Sequence, residues 1–346
     1  MPTIQKTKLG NSRRKTFSIP NLDCIDEGIS RNSRGRLQCW SMSLVVIGSV
    51  AYDAIETPHG KRDRTLGGSC TYIALSASYF TKTSIVAVVG EDFAPEDTTL
   101  LAGKGVDLQG LETVPGKTFF WSGVYSADMN DRKTLATDLN VFADFEPKLP
   151  AAYAQLPYLF LGNIQPALQL SAQRQMPGLR FVGGDTMNYW INGNKPELLE
   201  TIKHWDFLLI NDSEARMLAE ENNIRKAAQK ILAMGPNTLI IKRGEYGAML
   251  FRKDALFICP GYLLDDVFDP TGAGDCFAGG FVGYLAERGF DLRNGRFDVS
   301  ELHRAVIYGS VMGSFCCEEF GVERFRTLTR KEIDQRFEEF RRFTAF

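Results

Sequence analysis

The chain has 346 residues, 44% hydrophobic and 24% charged, with 32 Gly and 14 Pro, a balance that excludes collagen-like, coiled-coil and wholly disordered chains. The net charge of −2 conceals an asymmetry: residues 1–41 carry eight Lys/Arg against three Asp/Glu, a net of +5, while residues 42–346 carry 32 against 39, a net of −7. An acidic body lacks the clustered cations that neutralise a phosphate backbone, so no nucleic-acid partner is expected.

No run reaches the ~20 uninterrupted apolar residues of a membrane span and the start lacks the apolar core of a secretory signal, so no membrane partner and a cytoplasmic location are expected. Seven cysteines, at 24, 39, 70, 259, 276, 316 and 317, have no C-x-x-C spacing, and the three histidines are scattered. Both facts fit reduced thiols better than a disulfide framework or a zinc site.

Residues 1–41 are polar and without period, and a buried-strand pattern, SLVVIGSV, begins abruptly at Ser43. We read residues 1–42 as a disordered or mis-annotated arm and 43–346 as the folded domain. Three readings of the arm stay open: an over-extended translation with Met42 as the native start, an organellar transit peptide, and a tail without a role.

From Ser43 the apolar runs LVVIGSV, SIVAVVG, YLFLGN, RFVGGD, FLLIND and TLIIKRG alternate with helix-length segments, the pattern of βα units around a mainly parallel sheet. They are apolar nearly throughout, as strands buried on both faces must be. Ligands bind at the carboxyl ends of such strands, where Asn163, Asp185, Asn211 and Lys242 stand. Two interruptions, about 51–66 and 112–142, alternate like exposed strands and are read as a lid or a decorative hairpin. Phe119, Phe120 and Trp121 lie there, either as an aromatic wall for the site or as core. GLETVPGKT at 110–118 mimics a phosphate loop, but its spacing is one residue too long and a β-like run follows it. Near the end, Thr329 to Glu332 forms a capping box for a charged terminal helix.

The most informative stretch is DPTGAGDCFAGGFVGYLAERG, residues 269–289. Pro and Gly mark a tight turn, then Phe277, Phe281 and Leu285 recur at helical spacing until Gly289 stops the helix. Gly272, Ala273 and Gly274 therefore stand at a helix N-terminus, where small residues and the helix dipole make an oxyanion pocket. Asp275 follows directly. A carboxylate beside an anion pocket suits transfer, with a base taking a proton while amides hold developing charge; the bland reading is a helix cap.

The string D-P-T-G-A-G-D-x-F-A-G-G-F resembles the C-terminal signature of the PfkB/ribokinase family of carbohydrate and nucleoside kinases. The resemblance implies an α/β fold, a ribokinase-like three-layer α/β/α domain with a mainly parallel central sheet and a small β-strand lid. It implies ATP-dependent transfer of the γ-phosphoryl group to a primary hydroxyl of a sugar or nucleoside, a carbohydrate preferred, with Mg²⁺ and also K⁺ as metals. A regulatory pseudokinase on the same fold is the alternative. By the same resemblance Asp275 is the catalytic base and Gly272, Ala273 and Gly274 are the anion hole, with Thr271 beside the nucleotide. Asp53, in GSVAYD, and the Gly67–Gly68 pair match the family's hydroxyl-binding positions. Tyr72 stands where many members carry Asn, so sugar identity does not carry over. Phe120, Asn163 and Asp185 complete the expected substrate side; DTMNYW at 185–190 is similar to the strand-end region of sugar-acid kinases without their Arg. Asn211 and Glu214 match Asn-x-x-Glu, which organises Mg²⁺ through water. In IKRGEYGAMLF, Gly244 and Gly247 match the turn beside the nucleotide and Lys242 takes a Thr position, meeting phosphates or solvating a strand end. Gly309 lies in the helix where the family places adenine, or serves helix packing. Asp269 resembles a K⁺-loop residue, and lid strands of relatives pair into homodimers.

Overall fold

The computed structural model describes residues 42–294 and 297–344; the arm of residues 1–41, with Cys24 and Cys39, lies outside the described residues. The strands in chain order are β1 (Ser43–Ile47), β2 (Ala51–Thr57), β3 (Gly60–Gly67), β4 (Lys82–Gly90), β5 (Val106–Val114), β6 (Phe119–Tyr125), β7 (Arg132–Asp138), β8 (Tyr158–Leu161), β9 (Phe181–Asp185), β10 (Phe207–Asn211), β11 (Thr238–Lys242), β12 (Ala248–Arg252) and β13 (Leu256–Cys259). Nine of them form one sheet in the order β13-β12-β11-β10-β9-β8-β1-β4-β5. Its pairings are parallel except at β12 and β13, which run antiparallel at one edge.

The continuous apolar runs have the cause expected of them. In β1, Leu44 and Val46 pack on one side with Ile73, Phe281 and Val311, from helices Ser69–Ala77, Ala273–Glu287 and Val299–Cys316. Val45 and Ile47 pack on the other with Ala172, Leu198, Leu218 and Ile231, from helices Pro166–Arg174, Lys195–Ile202, Asp212–Ala219 and Ile224–Leu232. Side chains alternate across a strand, so both alternations must be apolar when both faces are covered. Full burial of one such side chain, Phe281 for example, contributes about 1.5–3 kcal/mol. The three-layer α/β/α reading therefore holds. The five described cysteines, Cys70, Cys259, Cys276, Cys316 and Cys317, are free thiols.

A second sheet has the order β3-β2-β6-β7. It is mixed: β2 and β6 run parallel while the outer pairs run antiparallel. Residues 112–114, read from the sequence with this element, belong instead to β5, the edge of the central sheet beside β4. The phosphate-loop mimic thus runs from β5 through a turn into β6, with no helix after it.

Candidate functional site

Parallel strands deliver their carboxyl ends to one side of the sheet, and Asp185, Asn211 and Lys242 are the last residues of β9, β10 and β11. Opposite them begins helix Ala273–Glu287, whose N-cap Gly272 has φ 76°. That left-handed conformation favours glycine, and a Cβ there would also stand 2.5 Å from the Tyr72 ring. Ala273 N–H turns back to the Pro270 carbonyl at 3.2 Å, so it serves the turn before it serves a ligand. The amides of Gly274 and Asp275 lie in the first helical turn, where intrahelical acceptors run out.

Asp275 and Asp185 face each other closely enough to interact through a shared proton. Burial raises both carboxyls; Asp185 is pushed well above the ordinary range by burial and then by the Asp275 charge. For Asp275 the rise caused by burial is opposed by Lys242 and Arg132. Burial disfavours two charges side by side, and the Lys242 and Arg132 charges favour the ionised form of Asp275. Lys242 donates to the Gly274 carbonyl at 3.3 Å, and its charge also draws Asp185 and Glu214 down.

Asp53 lies across from this group on β2, only 4% exposed. Gly67 leaves room for its carboxylate, since a Cβ there would overlap it, and the Gly68 amide donates to it. Gly68 itself has φ 90°, with the Ala51 amide 2.8 Å from where a Cβ would be. Burial first, then the charges of Asp269 and Asp275, push the Asp53 carboxyl up to about 8.

Asn211 and Glu214 form a reciprocal capping box: Glu214 N–H donates to Asn211 Oδ1 at 2.7 Å and Asn211 N–H to Glu214 Oε2 at 2.8 Å. The N-cap of helix Asp212–Ala219 is thus Asn211 itself. Gly244 and Gly247 bracket a single 3₁₀ turn with positive φ at both, and Arg243 N–H closes it on the Gly247 carbonyl at 2.7 Å.

Four expected ligand positions have other roles. Tyr72 is 1% exposed, its ring packed beneath Gly272; its hydroxyl is buried without a partner. Phe120 pairs in register with Tyr52, whose ring contacts Phe93 and Arg64, so it stands on the face turned away from Asp53. Gly309 is buried at a helix crossing, where a Cβ would come 2.9 Å from the Phe277 carbonyl; close packing explains it better than adenine. The Asn163 amide is already engaged, accepting from Trp190 Nε1 at 2.9 Å and donating to Met187 Sδ at 3.0 Å.

Three residues of the smaller sheet bring aromatic and cationic groups near Asp53 and Asp275. Trp121 pairs with Asp53 in the parallel register and shares its face, its ring lying over Gly123, where a Cβ would overlap it. Tyr125, four residues further along β6 and so on the same face, accepts from Thr271 Oγ1 at 3.0 Å. Arg132 pairs with Tyr125, its guanidinium 5.8 Å from the Trp121 ring centroid. The Arg132 charge acts on Asp53, Glu214 and Asp275 together. Neither Tyr125 nor Arg132 was singled out from sequence; their signal lies in strand register, which is a property of pairing. Asp269 is fully buried, with Oδ1 accepting from Thr271 N–H at 2.9 Å and Oδ2 from Gly321 N–H at 2.8 Å.

Comparison with known proteins gives the chain a family and a fold. The profile described as pfkB family carbohydrate kinase matches residues 41–327. The chain is 29% identical over 257 residues to the cytidine kinase of Thermococcus kodakarensis, covering 71% of this chain and 90% of that protein. It is 26% identical to the nucleoside kinase of Methanothermobacter thermautotrophicus, covering 87% and 96%. Among solved structures, the aminoimidazole riboside kinase of Salmonella enterica, complexed with aminoimidazole riboside and an ATP analog, superposes with a TM-score of 0.67 at 20% identity, covering 85% and 99%.

Proposed function

The chain belongs to the pfkB family of carbohydrate kinases and is an ATP-dependent phosphotransferase acting on an alcohol group of a sugar or nucleoside; we propose that its acceptor is a nucleoside. The observation that carries the catalytic reading is Asp275, half-buried beside Asp185 in the first turn of helix Ala273–Glu287. Two relatives matched over most of their length are named cytidine kinase and nucleoside kinase, and Trp121 offers an aromatic face beside Asp53 for a base to stack on. These move the preference from a carbohydrate to a nucleoside. The relatives are named as kinases, and none favours the regulatory alternative.

In this reading Asp53, cradled by Gly67 and Gly68, accepts hydrogen bonds from the acceptor's ring hydroxyls. Asp275 takes the proton of the primary hydroxyl as its oxygen bonds to the γ-phosphorus and the bond to the departing ADP oxygen breaks. The first-turn amides of Gly274 and Asp275, with Gly272, hold charge on the transferred group. Lys242 and Arg132 offset it from the body and the lid, and Gly244–Gly247 and Thr271 border the nucleotide. For Mg²⁺ the fit rests on spare carboxylate oxygens: Asp185 Oδ1 is buried without a partner, and Glu214 Oε1 stands outside the cap formed by Oε2. Such oxygens hold a largely hydrated ion, whose charge would neutralise the phosphates. K⁺ is proposed at Asp269, a fully buried carboxylate that makes no ion pair among the described residues; equal activity in Na⁺ and K⁺ would remove it. A cytoplasmic enzyme, with residues 43–346 as one kinase domain, is part of the same proposal. So is a homodimer through the lid, whose free strand β7 exposes Leu135; sedimentation as a monomer at micromolar concentration excludes it.

ADP formation across a panel of nucleosides and free sugars tests the substrate class, and a higher kcat/KM for any free sugar than for every nucleoside refutes it. Asp275→Asn should lower kcat by about 10²–10⁴-fold. Because burial raises Asp275 and the base works ionised, kcat/KM should decline as pH falls through a limb above the ordinary carboxylate range near ~4.

A further inference from the structure

Thr271 directly precedes the left-handed Gly272, and each of its polar groups is held. Its N–H donates to Asp269 Oδ1 at 2.9 Å, and its carbonyl accepts from the Cys316 thiol at 3.3 Å. Both partners belong to the body. The third bond, from Thr271 Oγ1 to the Tyr125 hydroxyl at 3.0 Å, comes from the lid. Tyr125 and Thr271 are both buried, so the bond is shielded from water, and losing it leaves a buried hydroxyl unpaired.

The surroundings point the same way. Ile55 of β2 and Tyr125 of β6 pack with Phe320 in a small apolar cluster. Arg62 of β3 lies over the Phe320 ring at 4.5 Å. Gly321, the next residue, donates its N–H to the other Asp269 oxygen at 2.8 Å. The Asp269 carboxylate therefore ties the phosphoryl turn to the loop on which the lid sits. At the far end of β2, Thr57 Oγ1 donates to the Phe268 carbonyl at 2.9 Å, and the His59 ring lies 4.8 Å from that of Phe268. Three strands of the lid thus seat on the two segments that flank Asp269, and at Tyr125 alone, among the described residues, the seating reaches Thr271 through a polar bond.

We propose that Tyr125 is a positioning residue: through Thr271 it sets the aim of the amides that follow, so that the phosphoryl turn is complete only when the lid is seated. The proposal rests on the reading of residues 272–275 as the phosphoryl site. It gives the enzyme a physical reason to transfer less readily when the lid is displaced, because the donors for developing charge are then held from the body side alone.

The test uses Tyr125→Phe, which removes one oxygen and keeps the ring in its cluster, and Thr271→Val, which removes the bond from the other side. Calorimetric affinities for ADP and for ADP with aluminium fluoride, both in Mg²⁺, compare a ground state with a mimic of the transferred group. Both variants should weaken the fluoride complex by roughly fivefold to tenfold, the size of one buried hydrogen bond, and Tyr125→Phe, at a residue that does not border the nucleotide, should leave ADP affinity within twofold. The double variant should lose no more than either single one. With the best acceptor, kcat should fall by a similar factor while the acceptor KM holds. In Tyr125→Phe, equal weakening of ADP and the fluoride complex or no weakening of either, and in the double variant additive losses of the fluoride complex, would overturn the proposal. A wild-type protein that binds the fluoride complex no better than ADP would overturn the phosphoryl-site reading instead, and the proposal with it.

Discussion

In the proposed reading Asp53 binds the acceptor, and its burial makes its charge costly to the fold. Its folded pKa is near 8, against about 3.9 in an unfolded chain. The folded state therefore binds the proton more tightly, and that contribution to stability is complete below the unfolded value and lost as pH rises through about 8. The loss is of the order of a few kcal/mol by linkage. Asp53→Asn keeps the shape without the charge, so the variant should melt above wild type at pH 8 to 9, with the gap closing towards pH 5. The same variant should raise the acceptor KM, since a hydroxyl acceptor is lost. Melting curves that differ by a constant amount across this range would refute the assignment. Asp53 was legible in sequence only through the resemblance of GSVAYD to the family's opening strand. Its unusual proton affinity was not, because the neighbouring charges, Asp269 and Asp275, lie more than 200 residues away along the chain.

At the scale of elements, the lid illustrates what strand patterning can and cannot convey. The run Phe119-Phe120-Trp121 announces an aromatic strand, but alternation alone does not say which face looks at the site. The parallel register with β2 decides it: Trp121 sits beside Asp53, and Phe120 beside Tyr52 on the far side. Trp121→Ala should therefore raise the KM for a nucleoside about tenfold, the worth of one stacked base, while leaving the ATP KM unchanged. Phe120→Ala should leave both within twofold. Steady-state kinetics on the two variants checks the pair, and a larger effect at Phe120 would reverse the face assignment. The edge strands were harder to read for the same reason. β5 is buried at Val106 but mostly half-buried or exposed beyond it, so its composition resembles that of the lid strands and its last residues were grouped with them. β12 and β13, antiparallel at the opposite edge, lie beyond the parallel units and have no helix between them to set a βα rhythm.

The whole molecule combines a central sheet that advertises itself with a site that is assembled from distant pieces. The six apolar runs became β1, β4, β8, β9, β10 and β11 because helices cover both sheet faces, a constraint written into every residue of those strands. The site draws instead on β2, β6, β7, three strand ends and one helix start, and only the last carries a contiguous motif. Arg132 is the plainest case: a basic residue on a polar strand has no local signal, and its proximity to three carboxylates follows from how the two sheets bring their residues together. Every side chain in this reading, from Asp53 to Asp275, falls within residues 42–344, which contain both apolar cores. The family match spans 41–327. A chain beginning at Met42 should therefore fold with a melting temperature within ~2 °C of the full-length protein and keep kcat and both KM values within twofold. Deleting residues 1–41 also removes a net charge of +5, so the shortened chain should elute from anion exchange at higher salt. A shortened chain that folds but loses more than tenfold in kcat/KM would show that the basic segment takes part in the site, and the kinase domain would then have to be redrawn to include it.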